Sequence, residues 1–227
     1  MQLLSVNVSS AKIRRFGWQF YRSAFLKQAV TGPVTVNQHN IVGDKQADLM
    51  NHGGEDKAIY AFSYEHYHYW QKKLGLAHIP YGKFGDNLTI SGIDENDLAP
   101  GDQLIINDCI LEVSQPRIPC YKISFEFQRK SMLNEFIASA HTGIYFRVIQ
   151  PGTISAGQTV SIEKHPANYP SIQQLFRAYF DSQYSEQEAI LRQSITIPEL
   201  AEAWKSKMRD KCHLIDLYYQ RQKKKPQ

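Results

Sequence analysis

Three stretches of the chain carry side chains capable of chemistry. The most informative is Ser114-Gln-Pro-Arg-Ile-Pro-Cys-Tyr-Lys122, in which Pro116 and Pro119 fix the backbone of the loop that leads to Cys120. Arg117 and Lys122 flank that thiol, and positive neighbours favour the thiolate, the form that binds a metal or attacks an electrophile. A free cysteine is also commonly a small buried hydrophobe, but the proline bracket and the paired cations point to a ligand or nucleophile. The second stretch runs from Gly43-Asp-Lys-Gln-Ala-Asp48 to Asn51-His-Gly-Gly-Glu-Asp-Lys57. Gly53 and Gly54 allow a turn that turns main-chain N–H groups toward an anion, with His52 and Lys57 as further donors. An ordinary glycine turn with solvated charges fits the same residues. In the third stretch, Phe84-Gly-Asp-Asn-Leu88, Asn87 either caps a turn or offers its amide to a ligand.

Other chemistry is excluded or weak. His66 and His68 stand two apart on a helical stretch and cannot share a face. Glu65 has no matched carboxylate beside it, and no G-x-S-x-G, P-loop or G-x-G-x-x-G occurs. Three cysteines, Cys109, Cys120 and Cys212, form no C-x-x-C pair and cannot build a four-cysteine cluster. The net charge of +4 comes from Arg221, Lys223, Lys224 and Lys225; without them 22 basic residues face 22 acidic ones. A basic helix end explains that run better than a nucleic-acid stripe, so no specific nucleic-acid binding is expected. No run approaches 18 apolar residues, and the opening Met1-Gln-Leu-Leu-Ser-Val-Asn-Val alternates like a strand rather than a signal peptide. The expectation is a cytoplasmic protein without membrane partners.

These loops need elements to hold them. Up to about residue 165 the pattern predicts short strands: Leu3–Val8, Pro33–Val36, Asn87–Gly92, a hairpin of Gln103–Ile106 and Cys109–Ser114 about Asn107-Asp108, Gly143–Ile149 and Gln158–Glu163. Such a series suggests a barrel or a sandwich. A helix is expected over Ser63–Leu74, stopped at Gly75, and a second over Phe125–Ile137. After Asn168-Tyr-Pro170 three capping-box signatures, Ser171–Gln174, Ser185–Glu188 and Thr196–Glu199, predict a small three-helix domain over residues 168–227.

Taken in order, Ser23-Ala-Phe, Gly32-Pro-Val34, Gly43-Asp44, Asn51-His-Gly-Gly-Glu-Asp-Lys-Ala58, Gly85-Asp-Asn-Leu88, Gly101-Asp102 and Gln115-Pro-Arg-Ile-Pro-Cys120 resemble the MOSC domain, the carboxy-terminal module of molybdenum cofactor sulfurases. The length and helical carboxy end resemble its YiiM subgroup. That resemblance implies a mainly β fold with helices: a MOSC-type β-barrel over 1–165 whose mouth holds a molybdenum-pterin cofactor of the molybdopterin type, followed by the three helices. It makes Cys120 the metal ligand, gives His52 and Lys57 catalytic positions, and makes Arg117, Asn87, Lys122, Gly53 and Gly54 cofactor or substrate contacts. Gly85-Asp86-Asn87 departs from the family's frequent Gly-Glu-Asn. The implied activity is reduction of N-hydroxylated compounds such as 6-N-hydroxylaminopurine. With no flavin or nicotinamide fingerprint and no cluster cysteines, a separate electron-donor reductase, a flavoprotein, is expected. Three alternatives stay open: Cys120 as a persulfide carrier, a molybdenum cofactor-binding protein without redox turnover of its own, and the helical end as an interaction or nucleic-acid module with the barrel as scaffold.

Overall fold

Ile59–Ser63 (β6) reads Ile-Tyr-Ala-Phe-Ser, and all five residues are buried. A strand covered on both faces shows no alternation, and β6 lies in the middle of an eight-stranded mixed sheet. With β1 (Gln2–Val8), β4 (Gln28–Ala29), β7 (Leu88–Ser91), β8 (Gln103–Ile106), β9 (Cys109–Pro116), β10 (Ile144–Gln150) and β12 (Ser161–Glu163), the order is β12-β8-β9-β10-β6-β7-β1-β4. This computed structural model describes residues 1–9, 12–16, 18–45 and 54–223. The sheet curls into a half-barrel. The segment before β12 runs along β1, with Leu3 N donating to Gln158 O at 2.9 Å and Val160 N to Met1 O at 3.0 Å, so the two sides of the sheet approach each other. Among the described residues there are also two small sheets: β2 (Lys12–Phe16) with β3 (Gln19–Ser23), and β5 (Val34–Val36) with β11 (Gly152–Ile154).

The β8–β9 hairpin turns at Asn107, whose φ of 55° is the left-handed value such a turn needs. Strands β6 and β7 are parallel, so a crossover joins them, and α1 (Tyr64–Leu74) supplies it. Tyr67 and Trp70 are its buried residues on the apolar side, and Gly75 ends it at φ 66°. The single helix expected over Phe125–Ile137 is instead two, α2 (Lys122–Glu126) and α3 (Met132–Ser139). Gln128 lies between them at φ 51°, a conformation that breaks a helical run.

Three helices follow residue 170: α4 (Ile172–Phe180), α5 (Gln187–Ser194) and α6 (Glu202–Lys223). The first expected capping box forms, with Gln174 N donating to Ser171 Oγ and Ser171 N to Gln174 Oε1. The other two do not. Glu186 stands at the N-cap of α5 without a side-chain cap, and Thr196 Oγ1 donates back to Gln193 O at the end of α5. Apolar residues of these helices, among them Leu175, Phe176, Leu191, Trp204 and Met208, belong to the same continuous core as Leu104, Leu111 and Phe146 of the sheet. A second, aromatic cluster under α1 gathers Tyr60, Phe62, Tyr67, Trp70, Phe84 and Phe136.

Candidate functional site

Strand β9 delivers the Cys120 loop, and three ties hold it. Trp204 Nε1 donates to Pro116 O at 2.9 Å, Arg117 N to Gly143 O at 3.2 Å, and Thr142 Oγ1 to Arg117 O at 3.0 Å. Cys120 then leads into α2, its carbonyl accepting from Ile123 N. The loop opens on a cleft of about 560 Å³ lined by Lys57, Cys120, Lys122 and Tyr145, with Ala203, Trp204, Ser206, Lys207 and Asp210 of α6 as the opposite wall. Cys120 is half-buried there, whereas Cys109 and Cys212 are buried in the core. Burial, aided by the Asp108 charge, pushes the Cys109 thiol up to about 12, and burial also raises that of Cys212. Neither is suited to ionise.

Lys57 reaches the cleft from a 3-10 turn, Glu55–Lys57, entered through Gly54 at φ 98°. That turn is fixed from both sides: Ser114 Oγ donates to Asp56 O, and the Arg147 guanidinium ion-pairs with the Asp56 carboxylate at 2.6 Å. His52 and Gly53 lie outside the described residues.

Arg117 is 3 % exposed and sits behind the loop rather than on the cleft surface. Its guanidinium lies 4.5 Å from the ring centre of Tyr60, 5.1 Å from Phe25 and 5.8 Å from Phe136. Among the described residues its hydrogen bonding goes to phenol oxygens, Tyr60 Oη at 3.0 Å, and not to a carboxylate. Burial alone would lower its pKa; Tyr60, Tyr145 and Cys120 beside it hold it above the ordinary value. Of the groups beside this buried cation, Cys120 and Tyr145 line the cleft.

Asn87 is placed elsewhere. Its Oδ1 accepts from Tyr60 N at 3.2 Å and its Nδ2 donates to Asp44 Oδ2 at 2.8 Å, so both ends of the amide are engaged within the fold, and Asn87 is not among the residues that line the cleft. Asp44 also pairs with buried Lys27 at 2.5 Å. Asp86 is wholly buried; burial raises its carboxyl pKa, and it accepts from Tyr67 Oη at 2.8 Å and Thr89 Oγ1 at 2.6 Å. Its shorter side chain is used inside the fold.

The structure therefore brings Cys120, Lys57 and Lys122 to one cleft, keeps Arg117 behind it and sets Asn87 apart. Missing from the sequence reading are Tyr145, which is paired across the sheet with Gln115, and the whole α6 wall. Residues 203, 206, 207 and 210 follow i, i+3, i+4, i+7, a spacing that marks one helical face, but its polar character reads as solvent-facing.

The MOSC domain model matches residues 48–161. The chain belongs to the MOSC domain family. As a MOSC protein it is 31 % identical over 214 residues to the uncharacterized protein YflK of Bacillus subtilis (strain 168), covering 94 % of this chain and 96 % of YflK. The crystal structure of YiiM from Geobacillus stearothermophilus superposes with a TM-score of 0.76 at 28 % identity, covering 93 % of this chain and 98 % of that one. A protein of Gibberella moniliformis (strain M3125 / FGSC 7600) named "Reductase" is 30 % identical over 184 residues; this chain spans 32 % of its length, while the match takes in 78 % of this chain. The YiiM-like fold of this MOSC protein thus extends beyond the matched domain into the carboxy-terminal helices that wall the cleft.

Proposed function

We propose that this chain is an oxidoreductase that holds a molybdenum-pterin cofactor on the Cys120 thiolate and reduces N-hydroxylated compounds to amines. The observation that carries the reading is the contrast among three cysteines: Cys120 alone opens on a cleft, and Lys57, Lys122 and Lys207 line that cleft. Membership of the MOSC family and the relative named "Reductase" support it. The donor set fits the group. A thiolate is a strong ligand for a soft metal centre, and lysine ammonium groups suit the anionic phosphate of a pterin.

In this reading Lys57 and Lys122 bind the anionic end, with Gly54 at the entry to the Lys57 turn and His52 and Gly53 as further contacts. Arg117, clamped between aromatic rings, keeps positive charge behind Cys120. Lys57 Nζ holds a proton that can pass to the departing hydroxyl. The bound cofactor supplies the two-electron chemistry by which R–NHOH, two electrons and two protons become R–NH₂ and water. A separate flavoprotein reductase supplies the electrons.

The test is molybdenum per chain, by elemental analysis, in wild type and Cys120→Ser purified from a molybdenum-replete host. Near-stoichiometric metal is expected in the first and at least a tenfold loss in the second. Equal metal in both removes Cys120 as the ligand. Absence of molybdenum from both, with cyanide-labile sulfur on Cys120 of the wild type, would favour sulfur carriage instead.

A further inference from the structure

Apart from the Cys120 cleft, three side chains from separate parts of the chain converge on one point. His66 lies in the first turn of α1, Glu95 in the loop after β7, and His141 in the segment that leads into β10. Their donor atoms all lie within 4.8 Å of one another, and none of the three residues lines the cleft. Read along the sequence, His66 has only His68 as a neighbouring ligand, and the two cannot share a helical face. The fold supplies the partners that the sequence does not.

The convergence is centred on one oxygen. Glu95 Oε1 accepts from Gly143 N at 2.9 Å, an outer contact of the kind that orients a ligating carboxylate. Its Oε2 faces both imidazoles, with His66 Nε2 at 2.7 Å and His141 Nδ1 at 3.7 Å. A tetrahedral ion with bonds of about 2.0–2.1 Å sets its ligand atoms roughly 3.3 Å apart. The two observed separations bracket that value, so both contacts to Glu95 need only small side-chain adjustments to share an ion. Gln173 Nε2 of α4 lies 3.4 Å from His141 Nδ1, and the same amide turned over presents its oxygen there. His66 and Glu95 are buried, whereas the His141 side chain is 30 % exposed and gives an ion its way in.

We propose that His66 Nε2, Glu95 Oε2 and His141 Nδ1 form a site for a divalent transition ion of the zinc class, completed by water or by the Gln173 amide. Two neutral imidazoles and one carboxylate are donors that zinc, cobalt and nickel accept. With no thiolate in the set, this site differs in chemistry from Cys120. Its position gives the ion a structural task. Beside His141, Thr142 Oγ1 donates to Arg117 O and Gly143 O accepts from Arg117 N, so the segment carrying one ligand also holds the base of the Cys120 loop. Glu95 O accepts from Gln173 N at 3.0 Å, which ties the first turn of α4 to the same point. The ion clips these pieces together. Metal and proton compete for the same imidazole nitrogens, so the hydrogen-bonded form of the triad belongs to the metal-free protein.

The test uses the full chain carrying Cys120→Ser, in which the cleft thiol cannot take up added metal, dialysed against a chelator and titrated with Co²⁺. One Co²⁺ per chain is expected, with visible absorption of a nitrogen–oxygen site, no thiolate charge-transfer band, and displacement by Zn²⁺. The thermal midpoint is expected to rise by about 5 °C or more at free Zn²⁺ of roughly 100 times Kd. Adding His141→Ala is expected to weaken Co²⁺ binding at least tenfold and to abolish that rise. X-ray absorption on zinc-loaded Cys120→Ser protein counts the imidazoles directly, without need of the His141 variant, and two are expected. No Co²⁺ binding by Cys120→Ser protein, equal affinity in folded His141→Ala protein, or fewer than two imidazoles on the zinc overturns the site. None of these readouts depends on molybdenum.

Discussion

Cys120 is legible from the chain because what sets it apart is local: two prolines and two cations lie within four residues of it. Asn87 is not, because its partners are distant. Tyr60 N stands 27 residues away and Asp44 Oδ2 43 residues away, and together they take the amide that the sequence offers to a ligand. The same distance hides a triad of which two members are buried and the third half-buried. His66 and His141, the first without chemistry in the sequence reading, meet Glu95, with His66 Nε2 at 2.7 Å and His141 Nδ1 at 3.7 Å from its Oε2. Burial would raise the Glu95 carboxyl, but the His141 and His66 rings override it and hold it at about 2. The His141 pKa is raised by the same carboxylate against the opposing effect of burial. A histidine with a raised folded pKa contributes stability that is present below its unfolded pKa, about 6.5, and lost as pH climbs through the higher folded value. In protein freed of divalent metal, the thermal midpoint of wild type is therefore expected to exceed that of His141→Gln by more at pH 6 than at pH 8.5. A pH-independent gap between the two proteins would remove His141 as the titrating partner of Glu95.

At the scale of elements, alternation and turn residues reveal the strands that have one wet face, whereas β6 escapes because it is covered on both. Hydrophobic pattern reveals α4 to α6, but two of three caps follow contacts that a three-residue signature does not contain. Gly143 shows how an element's end serves the site. It enters β10 at φ 85°, its carbonyl receives Arg117 N, and its own N–H donates to Glu95 Oε1 at 2.9 Å. A β-carbon there would lie 2.4 Å from the Tyr60 ring and 2.7 Å from Ala61 O, both in a packed strand. The ring cannot yield, since Tyr60 Oη donates to Thr142 O and accepts from Arg117. Gly143→Ala is expected to cost roughly 3 kcal/mol, combining overpacking with a left-handed backbone angle. Denaturant unfolding measures it, and a loss below about 1 kcal/mol would mean that the Tyr60–Arg117 pair gives way more easily than its packing implies.

For the whole molecule, the continuous core has a consequence for how the activity is completed. Sheet and carboxy-terminal helices share apolar contacts, so the cleft is shaped by parts of the chain more than 80 residues apart, as the Trp204 to Pro116 bond shows. Of the described strand pairs only β6 and β7 are parallel, so the sheet lacks the successive βαβ units that bind a dinucleotide. Three cysteines, two of them buried with raised thiol pKa values, cannot hold a cluster for one-electron relay. Under the proposed reductase reading a separate donor supplies the electrons, and the cleft beside Cys120 is open to a small one. Three conditions separate the outcomes for molybdenum-loaded protein and an N-hydroxylated purine: NADH or NADPH alone, reduced viologen alone, and nicotinamide with a flavoprotein reductase. Amine product is expected under the second and third and not the first. Steady turnover with nicotinamide alone would mean that this chain collects hydride itself, and no product with viologen would contradict the reductase assignment directly, because viologen needs no docking partner to deliver its electron.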